Sequence, residues 1–351
     1  MFKQLLKLSS IATALVSGTL YATALPSGSV YSANEGDNSI SEIQLGSGKV
    51  NTVKVPIVPH NVQIAPGGKT LLAVGMPAKE GGAHDMAGMS GSKPDDDDGD
   101  EERGKLLVLD TTRFGKIVMS LPVGKHPAHV VTDPKGSRAY VTNSEDNAIT
   151  VVDLKTKRTV ATVGTGAAPH GLRPSPDGRE LYVANVQDNS VSVIDTARLA
   201  EVARIPVGRA PVQVGFTPDG KQAYVSLRDD DQVAVIDTVT RQVVGRVGVG
   251  RKPIQVFATP DGRQVYVANQ GTEAEPDNRV SVIDTLSRSV RSTVTTGAGA
   301  HGVVASNDGA AVFITNIGAG TVSAIDTGTQ QVVATYRVGA GPNGISYRVT
   351  Q

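Results

Sequence analysis

Six histidines and one His/Met run are the residues of this chain that could do chemistry beyond packing. There is no cysteine, which excludes disulfides, thiolate metal sites and the C-x-x-C-H attachment of haem. Imidazole is then the commonest metal ligand on offer. The stretch "HDMAGM" (His84–Met89) sets one imidazole and two thioethers, Met86 and Met89, within six residues. Soft thioether beside imidazole suits copper, above all Cu(I). His84, Met86 and Met89 are therefore candidate copper ligands, and copper is the candidate cofactor. The acidic run "DDDDGDEE" that follows could collect hard cations but lacks the ligand spacing of an EF-hand loop. The competing reading is a solvated surface loop, which the Gly, Ser, Pro and charge content favours.

The remaining histidines sit close to a recurring proline, and that recurrence shows what must position them. Pro127, Pro169, Pro211 and Pro253 stand 42 residues apart. Ala300 takes the same place 47 residues after Pro253, and Pro342 follows 42 later. Pro59 lies 68 before Pro127, an excess of 26 over the period that falls within residues 76–104. That segment holds nine acidic and three basic residues, a net of −6 in a chain of formal net charge zero. It is an acidic insertion into one repeat.

Each repeat reads as four short strands rich in β-branched residues, with no competing helical period. In the copy "PHGLRPSPDGRELYVANVQDNSVSVIDTARLAEVARIPVG" (Pro169–Gly208), "PDG" is a hairpin turn, proline presetting one position and glycine supplying positive φ. The Asp of "VIDT" caps a turn, and the tyrosines in one register of strand two (Tyr31, Tyr140, Tyr182, Tyr224 and Tyr266, with Phe313) pack between units. Four-stranded units of about 40 residues predict a β-propeller. The anchors number seven, the last repeat stops after one strand, and "VYSANEGDNSISEIQL" (Val30–Leu45) supplies what it lacks. The expected fold is all-β: a seven-bladed propeller of four-stranded antiparallel blades, closed by N-terminal strands completing the C-terminal blade.

Strand one of each blade lines the channel, so residues beside the anchors gather at one mouth. His60, His170 and His301 follow an anchor directly, His129 comes one place later, and His126 precedes Pro127. Two readings are open: histidines bonding backbone at a tight strand start, or a metal or cofactor site. His60, His170 and His301 belong to the first, third and sixth blades, so they are expected to surround the axis and need not reach a single ion. Lys125, Arg209, Arg251 and Lys252 precede anchors on the same face and offer charge to an anionic ligand or to nucleic-acid phosphates. Without tryptophan, stacking platforms for single strands are poorly supplied.

At "AYVTN" (Ala139–Asn143), "LYVAN" (Leu181–Asn185), "VYVAN" (Val265–Asn269) and the "VIDT" copies (Val193–Thr196, Val235–Thr238, Val282–Thr285), the chain resembles the YVTN-family β-propellers. The resemblance spans residues 25–351 and implies a secreted or periplasmic seven-bladed propeller. That family is similar to the haem d1-binding propeller of a nitrite reductase and, more distantly, to lactonase propellers. One periplasmic member is described as DNA-binding, and surface-layer proteins carry the same repeats. No catalytic motif is common to these roles, so the resemblance assigns no site residue.

Two lysines ahead of an apolar stretch, closed by Ala22-Thr23-Ala24, read as a secretory signal peptide over residues 1–24. The remainder, 25–351, carries no apolar run long enough to span a bilayer. Periplasmic or secreted location is expected. No G-x-S-x-G, H-E-x-x-H or P-loop is present. The favoured reading is an exported, non-enzymatic propeller that binds a protein or small ligand at its channel face, handling metal or associating with a redox system. The alternatives are a propeller enzyme or cofactor carrier, lactonase-like or haem d1-type, and a DNA- or surface-binding propeller.

Overall fold

Alternating β-branched runs bury one face and hydrogen-bond edge to edge, and here they do so in sheets of four. The computed structural model describes residues 25–79 and 103–349. These form twenty-eight strands, β1–β28 in chain order, and one 3₁₀ turn at Glu35–Asp37. Six antiparallel blades take consecutive strands: β4–β7 (57–125), β8–β11 (127–164), β12–β15 (169–206), β16–β19 (211–248), β20–β23 (253–295) and β24–β27 (300–337). The seventh joins the two ends of the chain in the order β28 (Pro342–Val349), β1 (Gly28–Asn34), β2 (Ser39–Gln44), β3 (Lys49–Lys54). Its seam is antiparallel, with Val30 opposite Tyr347 and Tyr31 opposite Ser346. The ring therefore closes by hydrogen bonds between the ends and exposes no open blade.

The apolar core lies between blades. One cluster joins Tyr182, Val191 and Val193 of the third sequential blade to Val214, Ala223 and Val225 of the next. Tyr31, Tyr182, Tyr224, Tyr266 and Phe313 are fully buried and Tyr140 nearly so. The repeated Asn ending strand two clamps it to strand three: the Asn185 Nδ2 donates to Ser190 Oγ and Ser192 Oγ, both at 2.9 Å. A glycine at the end of strand four makes room for that clamp. A Cβ on Gly166 would stand 2.6 Å from Asn185 Nδ2. The "VIDT" aspartates cap their turns, Asp195 Oδ1 accepting from the amides of Ala197 and Arg198 at 2.9 and 2.7 Å.

Strands β5 (Thr70–Pro77) and β6 (Arg103–Asp110) extend into both ends of the acidic insertion. Met76 is in β5, opposite Val58, and so enters the segment from strand. The signal-peptide reading of residues 1–24 lies outside the described residues, as do His84, Met86 and Met89. No helix among the described residues is long and apolar enough to cross a membrane.

Candidate metal centre

The innermost strands begin with a bulge. In β8 (Pro127–Thr132), Pro127 pairs with Asn143 but Val130 with Val141, so three steps along one strand match two along the other. The same shift recurs in β12 (Pro169–Pro174) between Pro169 and Leu172, and in β4 (Ile57–Ile64) between Pro59 and Asn61. A bulge interrupts the two-residue alternation and re-aims side chains. Both the first and the second residue after an anchor therefore reach the channel, His60 and His170 at the mouth and His129 one level below.

This brings together three histidines that strand order alone sets on separate blades. His60 Nε2 and His170 Nε2 stand 3.3 Å apart. The ligand atoms of His60, His129 and His170 all lie within 4.8 Å of one another. Ring centroids are separated by 4.8 Å for His129–His170, 5.3 Å for His60–His170 and 5.8 Å for His60–His129. The expectation that the mouth histidines merely surround the axis is corrected here. The intervening blade presents only Ala128 at its first position, which leaves room for His60 and His170 to meet above it.

Each imidazole is fixed by the frame around it. Thr142 holds two of the strands: its Oγ1 accepts from the His129 amide at 3.0 Å and donates to the His170 carbonyl at 2.6 Å. His170 Nδ1 donates to the Val212 carbonyl at 3.3 Å, which leaves Nε2 as a lone pair facing the cluster. His60 Nδ1 faces Glu35 Oε1 at 3.2 Å, and Asn343 Nδ2 donates to Glu35 Oε2 at 2.8 Å. Glu35 and Asn343 both come from the closing blade, so ring closure also orients His60. The Gln213 amide lies 3.4 Å from His129 Nδ1, and His129 Nε2 has no partner among the described residues.

The charges follow from burial and from Glu35. Burial opposes ionisation of Glu35, but the facing His60 and the Asn343 bond outweigh it and bring the carboxyl down to about 2. Burial likewise disfavours the His60 cation, yet Glu35 raises its pKa above the ordinary imidazole value. Burial and then the charge of His60 lower His170 to about 3. His129 is pushed well below the ordinary value, first by burial and then by His170 and His60. Two lone pairs facing each other at this distance would repel, and a proton on one of the two nitrogens is one species that can stand between them. A metal ion is the other species that can stand between them. Two imidazole nitrogens at ~2.0–2.1 Å from one tetrahedral ion stand about 3.3 Å apart.

The other residues singled out from sequence fall around this cluster. His301 is buried beside it, Nδ1 without a partner, and burial and the His60 charge hold its pKa at about 4. His126 sits exposed at the rim, 3.7 Å from Glu145. The basic residues do not form a free anion patch. Arg209 pairs with Asp230 at 2.6 Å, Arg251 with Glu275 at 2.7 Å and Lys252 with Asp229 at 3.2 Å. The Lys125 amide donates to Asp146 Oδ2 at 2.8 Å. These acids lie in the turns between strands two and three, more than 20 residues along the chain, so the pairing was not visible locally. Glu35 carries no signal in the sequence beyond being an acid in the polar turn "NEGDN".

A family model for YNCE-like beta-propellers matches residues 118–350. The chain belongs to that family. No curated protein matches the sequence. Among solved structures it is similar to one titled Kuenenia stuttgartiensis Hydrazine Synthase. That match has 22% identity and a TM-score of 0.68, covering 84% of this chain and 90% of the other. It is also similar to a functionally unknown protein from Desulfotomaculum acetoxidans DSM 771. That match has 15% identity and a TM-score of 0.75, covering 93% of this chain and 100% of the other. At these identities the likeness is one of fold.

Proposed function

We propose that this chain is an exported, non-enzymatic metal-binding propeller that holds a transition-metal ion, copper foremost, between His60, His129 and His170. The observation that carries this reading is the 3.3 Å approach of His60 Nε2 and His170 Nε2, with His129 in the same cluster. His129 and His170, kept neutral by burial, are ready ligands at neutral pH, and Glu35 plays the part of the carboxylate that orients His60 and raises its basicity. Three imidazoles suit zinc as well as copper. The sequence supports copper, because the insertion bearing His84, Met86 and Met89 leaves β5 at Pro77, next to Met76, which pairs with Val58 two residues before His60. In this reading the insertion collects the ion and the channel histidines keep it. The leader sequence supports export, where copper is handled without cysteine in this chain.

The test is calorimetric titration of the purified protein with Cu(I), Cu(II) and Zn(II), beside His170→Ala and a deletion of residues 80–102. One ion per chain is expected, with affinity down at least 100-fold in His170→Ala and less than tenfold in the deletion. An ion held there would compete with protonation of His60, whose pKa Glu35 raises, so the measured heat at pH 6 should depend on the ionisation enthalpy of the buffer. Unchanged binding in His170→Ala would remove the histidines from the site. Binding lost only with the deletion would move it to His84, Met86 and Met89.

The nucleic-acid alternative is less well supported, since Arg209, Arg251 and Lys252 are already paired with acids. A hydrolase or cofactor-carrier role draws on no observation beyond the fold.

A further inference from the structure

Below the histidines the channel opens into a cavity of about 190 Å³. His129, Gln213 and Gln255 form its roof, and Arg173 and Phe257 lie in its wall. Among the described residues, no aspartate or glutamate lines it. The Arg173 guanidinium lies over the Phe257 ring at 5.2 Å from the centroid. With one face stacked on an aromatic, its N–H edges are the part left for a ligand. Arg173 has no ion pair among the described residues, and burial alone lowers its pKa to about 10. Gln255 is 4% exposed; its Oε1 accepts from the Val303 amide at 3.3 Å, while its Nε2 has no partner among the described residues. The buried Gln255 Nε2 thus brings a donor without an acceptor among the described residues, and the partly buried Arg173 brings a charge with no carboxylate paired to it there. Leaving such groups unmatched is costly in a buried site.

We propose that this cavity is a binding site for a small oxyanion, held by the edge of the Arg173 guanidinium and by Gln255 Nε2. The chemistry is that of a carboxylate or a compact inorganic oxyanion, which a guanidinium edge engages through two parallel N–H···O bonds. Access runs from the face opposite the histidines. Gln63, Asn307 and Tyr347 also line a second cavity of about 310 Å³, bounded by Pro66, Pro134 and Arg348. Arg348, over the Tyr31 ring at 5.8 Å, and Asp133 are the charged residues lining that vestibule. The site stands on Arg173 and Gln255 and does not depend on a metal ion above it.

The experiment is calorimetric titration of the chelator-treated protein with acetate, sulfate and phosphate, ionic strength being held with sodium chloride. Removing metal first ensures that a bound anion is not simply a ligand of the ion at the histidines. Saturable one-to-one binding of at least one anion is expected, weakened at least tenfold in Arg173→Gln and unchanged in His170→Ala. Preference for acetate would mark a carboxylate site, and preference for sulfate or phosphate a tetrahedral one. In anion-free buffer Arg173→Gln should melt at or above the wild-type temperature, because an unmatched charge is gone. Should that variant fail to fold, Gln255→Leu provides the second test, with affinity down several-fold. Absence of saturable binding by all three anions, or equal affinity in the folded variants, overturns the proposal.

Discussion

Two rings of side chains run round this propeller, and they differ in kind. The ring in strand two is nearly uniform, a tyrosine or phenylalanine in six of the seven blades, at Tyr31, Tyr140, Tyr182, Tyr224, Tyr266 and Phe313. The ring at the channel mouth changes from blade to blade: Asn343, His60, Ala128, His170, Val212, Ile254 and His301. The first ring faces the same neighbour everywhere, the next blade, so one residue type satisfies every copy. The second faces a single shared space in which a residue is matched to a partner across the axis and not to its own copies. Uniformity therefore marks packing, and departure from it marks the site.

The contrast can be broken most severely at the seam. Removal of Pro342–Gln351 takes away β28, leaving β1 unpaired on one side and the ring open. The expected result is loss of the cooperative unfolding transition near the wild-type temperature by circular dichroism. An unchanged melting temperature would mean that closure does not hold the blades.

A change within the uniform ring should be large and one at the mouth small. Tyr182 is fully buried against Phe216, ring centroids 4.9 Å apart, and Tyr182→Ala should cost about 3–5 kcal/mol in urea unfolding. His170→Ala should change stability by less than about 1 kcal/mol at pH 7 while weakening metal binding at least 100-fold. Equal losses of stability would erase the distinction between the rings.

A last expected effect is on pH dependence. In the unfolded chain the histidines protonate near pH 6.5, whereas in the native protein His170 does so near 3 and His301 near 4. Such lowered groups contribute stability that is present above 6.5 and lost as pH falls toward 4. At pH 5 the loss is about 2 kcal/mol for each. His60, with its raised pKa, acts in the opposite sense, adding stability below 6.5 that fades as pH rises through its native value. Unfolding free energies at pH 7 and pH 5 should therefore differ by about 2 kcal/mol less in His170→Ala than in wild type. An identical difference would show that His170 titrates normally in the native state.

Much of this molecule was legible as sequence because its elements repeat. The 42-residue period, the "PDG" turns and the "VIDT" caps each state a local rule several times, and the rule needs only neighbours in the chain. The N-terminal strands were legible as the missing part of the last blade for the same reason. His60, His170 and His129 were each noticed beside an anchor, yet their meeting was not. The bulge that turns His129 into the channel adds one residue to a strand whose sequence alternates normally. The absence of a side chain beyond Cβ at Ala128 matters only once the two flanking blades are in place. Arg173 is one residue in a strand that elsewhere carries Gln63, Val131, Gly215 or Phe257 at the same place, and nothing near it in sequence shows that no acid answers it. Conversely, Arg209 and Arg251 looked free in sequence and are paired by acids from distant turns. What the sequence determined by itself was periodic: strands, turns, caps and the number of blades, all set by short-range backbone preferences and the burial of alternate residues. What only the tertiary structure decided was convergence across the axis. Whether two charges or two lone pairs meet depends on distances between blades that no local rule contains.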